Sequence, residues 1–163
     1  MELEIDVEAP WPASPDWEAL AQRAALAAAQ VATELAHARL TASVLFTCDE
    51  DVRALNAEWR GKDKPTNVLS FPMLDRSDLV DLAPSGPPEL LGDIALAYET
   101  CAREAEDKGI GVAEHAAHLI VHGLLHLAGY DHETGDEEAE AMEALETKAL
   151  AVMGLADPYG SEL

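Results

Sequence analysis

Cysteine is scarce in this chain. Cys48 and Cys101 are the only two, without the CxxC spacing of a redox pair and far below the density of a disulfide scaffold. A reducing cytoplasm is the compartment this predicts. Cations are scarce as well: ten Lys and Arg stand against 32 Asp and Glu, a formal net charge of −22. Such a charge favours solubility and on average repels nucleic acid and anionic membrane, so a polyanionic substrate needs a local exception to the global field. Aromatics make up only 5% of the 163 residues, which leaves the core to Ala, Leu and Val. No apolar run approaches the ~18–20 residues of a transmembrane helix. Residues 1–8 are acidic rather than basic-then-apolar, so neither export nor a membrane partner is expected. What is present, 48% hydrophobic and 26% charged residues, suits one domain with a real core.

Period-two alternation predicts a strand at residues 2–7, and β-branched or apolar runs predict others at 40–47, 68–71 and 92–98. Stretches of helix formers predict helices at 16–38, 49–59, 99–108, 112–128 and 136–153. The helix at 112–128 is apolar on nearly every side and is expected in the core. Residues 74–88, with three prolines, read as a mobile surface loop, and 154–163 as a flexible tail. The Glu-rich helix after Asp136, which includes Glu146, reads as a solvated face. Trp59, four residues after Leu55, reads as a core anchor, with base stacking as its alternative.

Five of the six histidines fall between His115 and His132. His122 and His126 are four apart on the buried helix, so both imidazoles leave the same face one turn apart, as one tetrahedral ion requires. His118 lies on the same stripe, but eight residues of helix span roughly 12 Å, too far for one ion to bridge His118 and His126. A third ligand must return from beyond the helix. Gly129 permits that reversal, which makes His132 the natural third ligand. His118 is left to pack, to support a ligand or to face substrate. Asp131 either orients a ligand imidazole or caps the local backbone. Three His ligands point to a single zinc with an open fourth position, where a bound water is activated. The spacing HxxxHxxGxxH matches metzincin peptidases, but Gly123 stands where those enzymes carry the general-base Glu.

Half of all the cations, Arg53, Arg60, Lys62, Lys64 and Arg76, lie within residues 53–76 against Glu58, Asp63 and Asp75, a window of net +2. A basic patch beside a metal cleft is what a phosphodiester substrate needs on an acidic protein, which makes Arg53, Lys62 and Lys64 candidate phosphate contacts.

The segment HGLLHLAGYDH at 122–132 resembles the signature of the YbeY family of bacterial metalloproteins, and LNAEWR at 55–60, PTNVLSFP at 65–72 and LGDIA at 91–95 agree with it in order and spacing. The resemblance implies a single α+β domain in which a mixed four-stranded sheet is packed with helices, and the zinc site lies on a buried helix. It further implies a single-strand-specific endoribonuclease with one zinc, acting in 3′-end maturation of small-subunit ribosomal RNA and in ribosome quality control. Its partners are then ribosomal RNA, the small ribosomal subunit and a basic ribosomal protein. Arg60 matches the family's cleft arginine, whose guanidinium stabilises charge on the cleaved phosphate. Two alternatives stand beside this reading: a ribosome-assembly factor whose zinc is structural, and a peptidase-like hydrolase, which Gly123 disfavours.

Overall fold

The computed structural model describes residues 1–130 and 135–159. Four strands, β1 (Glu2–Val7), β2 (Leu40–Thr47), β3 (Val68–Pro72) and β4 (Glu89–Ala97), form one mixed sheet in the order β1-β2-β4-β3. β1 and β4 both run parallel to β2, and β3 is antiparallel to β4. The central pair is the most apolar, as strands covered on both faces should be. At one edge, β1 turns the exposed acidic residues Glu2, Glu4 and Asp6 away from the buried Leu3, which discourages pairing with a further strand.

Among the described residues, six α-helices cover the sheet: α1 (Trp17–Val31), α2 (Asp49–Arg60), α3 (Arg76–Val80), α4 (Tyr98–Lys108), α5 (Val112–Leu127) and α6 (Asp136–Val152). The main core lies under α1, α5 and α6, around Val44, Phe46, Ile94, Ile120 and Leu124. A smaller one, Val52, Leu69, Ala95 and Ala97, lies under α2 on the other side. The predicted single α+β domain architecture with a mixed four-stranded sheet is the one observed. α5 is buried along nearly its whole length, from His115 to Leu127, as its all-round apolar sequence requires.

The end of α5 positions the site. The Gly129 N–H donates to His126 O and the Tyr130 N–H to Leu125 O, the paired bonds of a Schellman ending. Gly129 takes φ +101°, and a Cβ there would come within 2.8 Å of Arg76. Arg76 grips this turn: its Nη1 donates to Ala128 O at 2.7 Å and pairs with Glu34 at 2.8 Å, and its guanidinium lies 4.7 Å over the Tyr130 ring.

Within 74–88, the stretch that reads as a mobile loop, α3 forms a turn of helix with Leu79 buried, and Arg39 donates to Ala83 O and Pro87 O at 3.0 Å each. Its anchor is a distant arginine, which local composition does not reveal. Of residues 154–163, which read as a tail, 160–163 lie outside the described residues. The Leu155 N–H donates to Leu150 O, and Asp157 accepts from the Thr147 hydroxyl and the Tyr159 N–H, fastening residues 155–159 back onto α6.

Candidate active site

The helical spacing of His122 and His126 has the expected result: both line one cleft of about 450 Å³, whose other walls include Arg60, Thr66, Asn67 and β3 residues Val68, Ser70 and Phe71. Arg60 is the last residue of α2, packed on the opposite side of the sheet from α5, so the cleft joins groups more than 60 residues apart in sequence. Asp131 and His132 lie outside the described residues. Among the described residues, no third metal-capable side chain joins the two imidazoles.

The other predicted cations separate. Arg53 is bound to Glu50 at 2.5 Å and to Asp63, so its charge is matched within α2 and the following loop. Lys62 and Lys64 are exposed and do not line the cleft. None of the three predicted phosphate contacts lines the cleft with the histidines; Arg60 does.

Two residues depart from their sequence reading. Trp59, expected as a core anchor, is 67% exposed. The α2 stripe facing the sheet consists of Val52, Leu55 and Asn56, and Trp59 instead edges an apolar groove with Phe71 and Met73, next to the cleft. Phe71 is shared by the groove and the cleft. Glu146 departs further. Expected on a solvated face, it is 1% exposed and receives hydrogen bonds from three side chains. His118 Nε2 and the Tyr159 hydroxyl lie 2.6 and 2.8 Å from its Oε1, and His122 Nδ1 lies 3.3 Å from its Oε2. Burial pushes the Glu146 carboxyl up, but the hydrogen bonds from His118 and His122 outweigh this and hold it at about 2. An ionised carboxylate only accepts, so both imidazole nitrogens must be the donors. The sequence did carry a signal for this. Met142, Glu146, Ala149 and Leu150 fall at i, i+4, i+7 and i+8, so Glu146 lies in the apolar stripe of α6.

This arrangement fits an imidazole-bound zinc. His122 offers Nδ1–H to a carboxylate, which leaves its Nε2 lone pair for an ion, the usual arrangement of a histidine ligand supported by an outer carboxylate. His118 lies behind His122 and supports the same carboxylate. On the far side of His122 a second pocket of about 390 Å³ opens, lined by Glu104, His115 and His118. There Glu104 accepts from His115 Nε2 at 2.8 Å and from Asn67 Nδ2 at 2.9 Å. Burial raises the Glu104 carboxyl, and these two donors more than offset it, so its pKa is lowered. Burial lowers His115 despite Glu104.

Gly123 points away from this chemistry. A Cβ there would meet Ile94 of β4 at 3.0 Å, so the position where zinc peptidases hold their base is closed by the sheet.

Known proteins align with the chain over almost its full length. A sequence profile of the family described as Endoribonuclease YbeY matches residues 9–154. The endoribonuclease YbeY of Erythrobacter litoralis is 66% identical over 160 residues, 98% of each chain. That of Novosphingobium aromaticivorans is 59% identical over 161 residues, 98% of this chain and 96% of the relative. A solution structure from Thermotoga maritima shares the fold with a TM-score of 0.57 at 21% identity, over 98% of this chain and 99% of that one. With a family profile spanning the domain and relatives this similar from end to end, the chain belongs to the endoribonuclease YbeY family.

Proposed function

We propose that this protein is a cytoplasmic zinc-dependent endoribonuclease that hydrolyses single-stranded RNA phosphodiesters during maturation of the 3′ end of small-subunit ribosomal RNA and in ribosome quality control. The observation that supports the reading is the shared cleft, whose walls among the described residues include Arg60 as the one cation beside His122 and His126. His122, His126 and His132 would hold the zinc, and Asp131 would support His132. When bound, such an ion supplies Lewis acidity and a water acidic enough to act near neutral pH. The chain's own residues do the rest. Arg60 binds the scissile phosphate through two parallel N–H bonds and stabilises the charge that builds on its oxygens during cleavage. Trp59, exposed beside Arg60, offers a stacking face to a base of the same strand. That favours single strands, whose bases are free to unstack.

A net charge of −22 opposes binding of naked RNA and makes it strongly salt-sensitive. It supports recruitment by the small subunit through a basic ribosomal protein, against which the acidic exposed face of α6 is complementary. The same observation favours a second reading, an assembly factor in which zinc is structural. Purified protein incubated with a 3′-extended small-subunit RNA fragment, with and without small subunits, separates the two. The nuclease reading expects cleavage in single-stranded segments, enhanced by subunits, and a loss of about 10²–10³-fold in Arg60→Ala. Intact RNA under all these conditions, with zinc bound, would leave the assembly-factor reading.

A further inference from the structure

We infer that Glu146 is the positioning residue of the metal centre: it fixes His122 in its Nδ1–H form, and it is itself held in place by His118 and by Tyr159 from the end of the chain. The inference rests on the reading of His122 as a zinc ligand and extends it to three residues on α5, α6 and the segment after α6.

Burial of Glu146 carries a cost. A carboxylate that is 1% exposed is expensive to bury unless its oxygens are fully engaged, and an apolar side chain of similar size would sit more comfortably in the stripe of Met142, Ala149 and Leu150. Glu146 therefore needs a reason beyond packing. Its two oxygens are divided between two tasks. Oε1 receives His118 and Tyr159, which fix the carboxylate plane, and Oε2 alone reaches His122.

The same contact sets the tautomer of His122. Neutral imidazole carries one N–H, and the nitrogen that donates to Glu146 cannot also bind an ion. Donation from Nδ1 leaves Nε2 as the donor atom. The carboxylate's charge also raises the basicity of that nitrogen.

The network closes through the segment after α6. Tyr159 donates to Glu146 at 2.8 Å, lies 3.2 Å from His118 Nε2, and stacks edge-on against the His118 ring at 5.4 Å. Asp157 holds the turn that brings Tyr159 there by accepting its N–H at 2.8 Å and the Thr147 hydroxyl at 3.1 Å. His118 Nδ1 is buried without a partner among the described residues, so the ring is held through Nε2 and therefore by Glu146 and Tyr159. The segment after α6 is thus part of the support of the metal centre.

Glu146→Gln tests this sharply. An amide offers one acceptor and one donor atom where the carboxylate offers two acceptors; with its oxygen kept by the closer donors His118 and Tyr159, its NH2 faces His122, whose Nδ1 proton then has no acceptor there. Zinc affinity by chelator competition and the ¹⁵N signals of the imidazoles in zinc-free protein are measured for wild type, Glu146→Gln, Tyr159→Phe and His122→Ala. The expected result is a loss of about 10–100-fold in zinc affinity for Glu146→Gln. A smaller loss is expected for Tyr159→Phe, and an Nδ1 proton on His122 in wild type that is depleted in Glu146→Gln. The far-ultraviolet dichroism should be unchanged. Wild-type affinity and an unchanged tautomer in Glu146→Gln would overturn the inference. If Glu146→Gln does not fold, Tyr159→Phe carries the test, and unaltered zinc affinity there overturns it. If wild type and His122→Ala bind zinc equally or not at all, the metal reading of His122 fails instead, and the wild-type tautomer still decides whether Glu146 positions the ring.

Discussion

Gly92→Ala should damage both the fold and the cleft, and the size of the damage follows from the geometry. Gly92 pairs with Pro72 where β4 meets β3, and it takes φ +157°. A Cβ at this position would lie 2.4 Å from the Phe71 carbonyl oxygen and 2.7 Å from Leu127 Cδ2. An ordinary carbon–oxygen contact is about 3.3 Å, so β3 and β4 must part by roughly 0.9 Å or the backbone of Gly92 must rotate. Overpacking of this kind costs about 1–3 kcal/mol, and a conformation disfavoured for L residues adds about 1 kcal/mol more. For a domain of this size, a total near 3 kcal/mol corresponds to a Tm lower by roughly 6–12 °C. The displaced parts matter to the site, because β3 carries Val68, Ser70 and Phe71 in the cleft wall and Leu127 follows His126. RNA cleavage measured well below the new Tm should therefore fall as well. Differential scanning calorimetry decides the stability claim, and a Tm within 2 °C of wild type would refute the steric reasoning.

Two further perturbations follow from the same geometry. Trp59→Ala should weaken binding of a single-stranded oligonucleotide by about 1–3 kcal/mol, a 5- to 150-fold loss, while leaving Tm close to wild type; because Trp11 and Trp17 are 6% and 3% exposed, quenching of tryptophan fluorescence by RNA should report Trp59, and unaltered affinity in the variant would remove it from the RNA path. Burial raises the Glu34 carboxyl, but its own backbone N–H, Tyr130 and Arg76 together hold its pKa below the ordinary 4.5; its ionised form therefore stabilises the fold above about pH 4.5, and that contribution is lost as pH falls through the lowered pKa. In urea unfolding, the stability difference between wild type and Glu34→Gln should shrink steadily as pH is taken below 4.5, and a difference independent of pH would contradict the assignment.

Much of this architecture is legible in the sequence because its signals are local. The alternation in residues 2–7 and the β-branched run at 40–47 coincide with β1 and β2, since a half-covered edge strand and a doubly covered central one leave different patterns. The spacing of His122 and His126 and the glycine at 129 likewise report helix geometry and its ending. What sequence does not show is how distant elements pair their charges. Arg53, Arg60 and Arg76 look alike in a window of net +2, yet Arg53 binds Glu50 and Asp63, Arg76 binds Glu34, and Arg60 lines the cleft. Those partners are chosen by tertiary packing. Glu146 is hidden for the opposite reason, because four other glutamates in its helix establish a solvated pattern that masks its place in the apolar stripe. Trp59 is hidden in the same way: Leu55 does face the smaller core, but α2 ends at Arg60 and Trp59 in its last turn is exposed.

The most direct test of the proposed zinc-dependent nuclease is metal content by elemental mass spectrometry on natively purified wild type and His126→Ala, with each preparation assayed on a single-stranded ribosomal RNA fragment before and after chelation. The account predicts close to one zinc per wild-type chain, cleavage that chelation abolishes and added zinc restores, and loss of both metal and cleavage in His126→Ala. Cleavage that persists in metal-depleted wild type, or in His126→Ala, would contradict it.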